Sequence, residues 1–207
     1  MTQIQCSLSI CLLFAGLATG CAQSNQVGAL VVATEVQSNV AASAAPPGIG
    51  SKIKFGQTTA IPDGYYEMCV TQPSLCRIRS GQIAASPDGG VKKTNATTSQ
   101  LASVNADVNA TIHPVHRDGW MPGRTSGDCK DFALTKRQRL PALPVAVVRT
   151  LSGEQHLILV ARMNQGDFVL DNLTQSIVPW SSAPYTWEKI QSTTNVWAWL
   201  TIRVRGA

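Results

Sequence analysis

Ser126-Gly127-Asp128-Cys129-Lys130-Asp131-Phe132 places a cysteine where a helix is expected to begin. Ser126 is a favourable N-cap and Asp128 an acid suited to the first turn. Phe132, Ala133 and Leu140 extend an apolar face that starts at Cys129. On this reading Cys129 is about the third helical residue, where backbone N–H groups and the positive end of the helix dipole favour thiolate over thiol. A small buried core residue would suit the same place, since free cysteine is among the most buried side chains. The segment alone leaves both readings open.

Three short, β-branched, apolar runs lie downstream: Val145–Arg149, His156–Arg162 and Asp167–Asp171, separated by Leu151-Ser152-Gly153-Glu154 and Met163-Asn164-Gln165-Gly166. Together they predict an antiparallel three-stranded meander. If residues 163–166 form the second turn, Arg162 pairs with Asp167, Val160 with Val169 and Ile158 with Asp171. His156 then faces Leu173, with Asp171 as its diagonal neighbour on the same side of the sheet. Shifting the pairing by one hairpin step changes partners but keeps the parity, so an even-numbered histidine and an odd-numbered aspartate stay on one face. That spacing suits a carboxylate holding an imidazole tautomer while the other ring nitrogen serves a thiol. His156 as a structural, edge-facing histidine is the alternative. His113 and His116 flank Pro114 in what reads as an irregular connection, and surface positions are expected for both.

Gly127-Asp128-Cys129-Lys130-Asp131-Phe132-Ala133, Gly153-Glu154-Gln155-His156 and Gly166-Asp167-Phe168-Val169-Leu170-Asp171-Asn172 resemble the three catalytic blocks of the bacterial transglutaminase-like cysteine proteinases. Val147-Val148-Arg149, Ile177-Val178-Pro179-Trp180 and Asn195-Val196-Trp197 are similar to members of that family as well, and the resemblance runs from about Gly64 to about Arg203. It implies a papain-like, transglutaminase-like α+β fold, with helices on an antiparallel sheet and the nucleophile at a helix N-terminus. Cys129 would be the nucleophile, His156 the general base and acid, and Asp171 the orienting carboxylate. Trp120 is a candidate second oxyanion donor beside the Cys129 N–H, with a rim or core aromatic as the other reading.

The resemblance also implies a protein substrate, surface or secreted, as in periplasmic relatives that clip adhesins. In those relatives the acid directly after the cysteine, with the acids matching Asp128 and Asp131, helps bind calcium. Here that position is Lys130, which removes a hard oxygen ligand and adds a positive charge. No cofactor is therefore expected, and Asp128 and Asp131 are read as solvated acids complementing the helix dipole, with calcium bound through Asp128 and Asp131 as the alternative. The connection from Arg139 through Pro144 is shorter than in relatives, so one cleft wall should be cut back. Transfer of the acyl group to an amine uses the same three residues and stays open, as does a catalytically idle scaffold that binds through the cleft.

Composition agrees with one exported catalytic domain. At 207 residues, 44% hydrophobic and 14% charged, the chain can fill a single core. The formal charge of +5 is scattered over Lys92-Lys93, Lys136-Arg137, Arg139, Arg203 and Arg205, with no nucleic-acid motif, so nucleic acid is not an expected partner. Leu8–Ala18 is an apolar run of signal-peptide length, shorter than the roughly 20 residues of a membrane span. Residues 1–22 are read as a signal peptide, giving a periplasmic or otherwise extracytoplasmic product. Ala18-Thr19-Gly20-Cys21 resembles a lipobox, so Cys21 is a candidate lipidation site and the only expected membrane attachment; ordinary cleavage at Ala22 is the alternative.

Cys6 and Cys11 leave with the signal, Cys21 is removed or lipidated, and Cys129 is the nucleophile, which leaves Cys69 and Cys76. They bracket Pro73-Ser74, and a disulfide between them is expected in an oxidising compartment, with two free thiols as the alternative. Residues 23–51, rich in Ala, Ser, Gly and Pro, read as a flexible spacer, and 52–207 as the peptidase domain. Ser80–Lys93 is a predicted loop. Leu101, Val104, Val108 and Ile112 mark one face of a helix that begins near Thr97 or Thr98 and is stopped by Pro114. Val196–Val204 reads as a last strand.

Overall fold

The computed structural model describes residues 51–76, 94–141 and 143–203. Strand β1 (Lys54–Thr59) leads to helix α1 (Tyr65–Thr71), a 3-10 turn at Pro73–Leu75 and the long helix α2 (Asn95–Thr111). Two-residue strands β2 (His113–Pro114) and β3 (Ser126–Gly127) then pair with each other just ahead of α3 (Cys129–Arg139). After α3 come β4 (Val145–Arg149), β5 (Gln155–Met163), β6 (Gly166–Leu170), β7 (Val178–Pro179), a 3-10 turn at Trp180–Ser182, β8 (Thr186–Gln191) and β9 (Trp199–Arg203). The predicted signal peptide, Cys21, the spacer up to residue 50, the Ser80–Lys93 loop and Val204 lie outside the described residues. No helix among the described residues is long and apolar enough to cross a membrane.

Seven strands form one antiparallel sheet in the order β1-β9-β8-β4-β5-β6-β7. The predicted meander is its β4-β5-β6 part, and the β5–β6 register is the expected one: Arg162 faces Asp167, Val160 faces Val169 and Leu159 faces Leu170. The ladder stops there, so the expected pairings of Ile158 with Asp171 and of His156 with Leu173 do not form; the chain leaves the sheet after Leu170.

Period-two alternation explains why β4 and β5 read as unbroken apolar runs: both faces of the sheet are covered. Val145, Val147, Leu157 and Leu159 pack toward the helices, with Tyr65, Leu101, Leu134 and Trp199. Ala146, Val148, Ile158 and Val160 pack the opposite way, against Ile53, Trp180 and Trp187. Each large side chain so buried contributes roughly 1.5–3 kcal/mol, which makes the central strands a stiff base for whatever their ends carry.

Helix α2 begins at Asn95, ahead of the expected Thr97 or Thr98, because Thr94 is the N-cap and its hydroxyl accepts from the Thr97 N–H at 3.0 Å. Val108 and Ile112 pack on Phe132 of α3, fixing the two helices together. The last strand is shorter than expected: Val196–Ala198 belong to a turn in which the Ala198 N–H donates to the Asn195 carbonyl at 3.0 Å. Trp199 is buried on the helix side, and Ile202 packs on the other. Cys69 and Cys76 are joined in a disulfide with Cα atoms 5.5 Å apart, closing the end of α1 onto the following turn.

Candidate active site

The helix at the quoted stretch starts two residues later than its sequence suggests. Ser126 and Gly127 are extended in β3, and Asp128 is the N-cap in place of Ser126. The Asp128 carboxylate accepts from the Lys130 N–H at 3.0 Å, while Asp131 reaches back to accept from the Asp128 N–H, also at 3.0 Å. This reciprocal capping box outbids a serine hydroxyl because it satisfies donors on both sides of the turn. Cys129 is consequently the first helical residue, not the third, and its side chain is buried at the junction of α3 with the sheet. Gly127 is required by the same geometry: a Cβ there would stand 2.4 Å from Asp131 Cγ.

Termination of β6 at Leu170 leaves the edge of β5 open beside Leu157. There the Leu157 N–H donates to Cys129 Sγ at 3.4 Å. The neighbouring residue, His156, is 3% exposed and its Nε2 bonds Asp171 Oδ1 at 2.8 Å. The carboxylate thus reaches the imidazole from the loop beyond β6 and not from within the ladder, and Nδ1 is the ring nitrogen left for other chemistry.

Asp171 is held from all sides. Oδ1 also accepts from the Leu173 N–H at 3.1 Å, and Oδ2 accepts from the Tyr185 hydroxyl. Burial pushes this carboxyl up, but the His156 hydrogen bond and charge, with the bonds from Tyr185 and Leu173, outweigh it and hold Asp171 below the usual carboxylate range. The Tyr185 hydroxyl is pushed upward, by burial and then by the Asp171 charge, so it stays a donor at neutral pH. Its ring centroid lies 5.7 Å from that of His156. From α2, Asn109 Nδ2 donates to the Asp171 carbonyl at 2.8 Å, and the buried Asn105 donates to the carbonyls of Thr174 and Gln175 at 3.2 and 3.0 Å. These contacts clamp the loop that carries Asp171.

Sequence reasoning missed Tyr185, Asn105 and Asn109, which belong to no motif and reach the site only through folding. In the sequence Lys136 and Arg137 count only among the scattered positive charges. Both are buried: Arg137 donates to the Tyr65 hydroxyl at 2.8 Å, and burial pushes Lys136 down to about 7, partly opposed by the Asp171 charge. His113 and His116 are exposed as expected. Trp120 is buried in the cluster that contains Cys129, edge-on to Tyr65 with centroids 5.4 Å apart. Its indole lies close to Gly64, where a Cβ would come within 2.5 Å of Nε1.

The carboxylates that could serve calcium are already committed. The Lys130 ammonium pairs with Asp128 Oδ2 and donates to the Arg117 carbonyl at 3.3 Å, while Asp131 closes the capping box against Gly127. Among the described residues, no group of three or more His, Cys, Asp or Glu could hold a metal ion. Beside the cysteine an ammonium stands among these acids, where calcium selects hard oxygen donors.

The bacterial transglutaminase-like cysteine proteinase family, BTLCP, matches residues 55–207, and the chain belongs to it. The protein is thus a transglutaminase-like cysteine peptidase of α+β fold. Solved structures of Legionella pneumophila LapG are similar: the calcium-bound form is 20% identical, with 56% of this chain and 74% of that one covered and a TM-score of 0.45. The EGTA-treated form is 18% identical, with 56% and 72% covered and a TM-score of 0.43. No curated protein matches the chain.

Proposed function

We propose that the chain is an exported thiol endopeptidase that cleaves a surface or secreted protein through Cys129, His156 and Asp171. The observation that carries this reading is the buried 2.8 Å bond between His156 and Asp171, one residue from the N–H that contacts Cys129 Sγ. An ionised Asp171 accepts Nε2–H and so fixes the tautomer in which Nδ1 takes the thiol proton. Tyr185 acts through Asp171 as a positioning residue.

The Cys129 sulfur then attacks the scissile carbonyl carbon: a C–S bond forms and the carbonyl π pair moves to oxygen, toward the positive end of α3. Collapse of that oxyanion breaks the C–N bond, and the amine departs with the imidazolium proton. Water next gives a proton to the imidazole and its oxygen attacks the thioester; the C–S bond breaks, releasing the acid and restoring the thiolate. No step needs a cofactor.

Export is supported by the Leu8–Ala18 run and by the Cys69–Cys76 disulfide, which belongs to an oxidising compartment. Cys21 is the proposed point of lipid attachment, with residues 23–51 as the spacer that would stand the domain off a membrane.

Comparison of extracytoplasmic proteins from cells carrying wild type, Cys129→Ala and His156→Ala tests the proposal. New N-termini that appear with wild type and vanish with both variants are expected. Identical N-termini in all three, or incorporation of an amine probe into proteins in place of cleavage, would overturn it.

A further inference from the structure

We infer that the Lys130 ammonium is a tethered cation standing where the family's pattern calls for a calcium ion, so that the N-terminus of α3 is held without calcium. The inference does not depend on the peptidase reading, because it concerns how the start of α3 is stabilised.

Three observations lead to it. First, the ammonium bridges a carboxylate oxygen and a main-chain carbonyl, Asp128 Oδ2 and Arg117 O, the hard-oxygen types that calcium selects. Second, the bridge is internal: the two side chains of the pair are 3% and 2% exposed, so the charge on Asp128 is compensated away from water. A buried carboxylate without a counter-charge is costly, so the lysine is structurally required. Third, one further oxygen on each acid is already engaged. Asp128 Oδ1 accepts from the Lys130 N–H and Asp131 Oδ2 from the Asp128 N–H, with the Asp131 carboxyl seated on Gly127. Replacing an acid by Lys130 changes the formal charge of the three side chains at 128, 130 and 131 from −3 to −1. Calcium affinity falls with the number of charged ligands, and it falls further where an ammonium must first be expelled. The consequence for regulation is that swings in calcium concentration leave this protein folded and its thiol equally reactive.

The test uses the full chain with calcium chloride or EGTA and no substrate. A calcium ion binding at about 100-fold above its Kd would raise the thermal midpoint by roughly 5–10 °C for a domain of this size. The midpoints of wild type in the two solutions are expected to coincide, as are the rates at which iodoacetamide labels Cys129 in the reduced protein. A Lys130→Met variant, which keeps the aliphatic stem and removes the charge, should melt roughly 10 °C lower. A rise of the wild-type midpoint in calcium, or faster labelling there, would overturn the inference. So would a Lys130→Met midpoint equal to that of wild type. Should Lys130→Met fail to fold, the wild-type comparison decides alone, and neither measurement reads peptide cleavage.

Discussion

Replacing Lys136 by methionine should make the protein more stable at acid and neutral pH, and the gain should fade as pH rises. Lys136 lies two helical turns beyond Cys129 on α3 and is 1% exposed. Burial lowers it from 10.5 to about 7, with the Asp171 carboxylate pulling the other way. Between those two values the unfolded chain keeps a proton that the folded chain has lost, so unfolding free energy climbs with pH across this window. At about 1.4 kcal/mol per tenfold change, the full interval corresponds to roughly 5 kcal/mol, present as a cost below pH 7 and relieved toward pH 10.5. At about pH 9.5 only roughly 1.4 kcal/mol of the cost should remain. Methionine fills similar space and does not titrate. Urea unfolding of wild type and Lys136→Met at about pH 6 and pH 9.5 should therefore show the variant ahead at the lower pH, with the difference closing by roughly 3 kcal/mol at the higher one. Parallel pH profiles for the two proteins would refute the reasoning, because they would mean that Lys136 keeps an ordinary lysine's charge in the fold.

Tyr185→Phe removes a donor from Asp171 while leaving the ring; kcat/KM should fall roughly tenfold, as for a hydrogen bond to a charged group. Burial is then less opposed, Asp171 moves up, and the acid limb of the pH–rate profile should shift to higher pH; an unmoved limb would limit Tyr185 to packing. Gly127→Ala drives a methyl group into the Asp131 carboxyl at 2.4 Å, opens the capping box and should cost roughly 2 kcal/mol or more in chemical unfolding. A cost below about 0.5 kcal/mol would show that Asp131 is not held as described. Replacing Cys69 and Cys76 together by serine opens a loop of sequence separation 7 and should cost roughly 2–3 kcal/mol, read as a lower thermal midpoint.

Much of the scaffold could be read from local pattern. The β4-β5-β6 meander and its register follow from alternation and the length of one turn, and the apolar face of α2 from spacings of three and four residues. The nearness of His156 and Asp171 was expected from a longer ladder, but pairing ends at Leu170 and Asp171 meets the imidazole from the loop beyond β6, held there by contacts that no hairpin register encodes. The helix start was misplaced because Ser126 and Asp128 are both good caps. The choice between them depends on whether Asp131 can reach back, and that depends on the path of the backbone, which β3 straightens.

The amino-acid sequence by itself carried the family resemblance, the cysteine at a helix start, the register of the β5–β6 hairpin and the lysine beside the cysteine. These are matters of residue type and short-range period, which act over a few positions of chain. Only the tertiary structure decided that Tyr185 and the α2 asparagines close around Asp171, that Lys136 and Arg137 turn inward, and that the Lys130 ammonium meets the Arg117 carbonyl. Each of those contacts joins segments far enough apart in the chain that no periodicity links them, and it forms because two covered faces of one sheet and three packed helices leave a buried polar group no other partner.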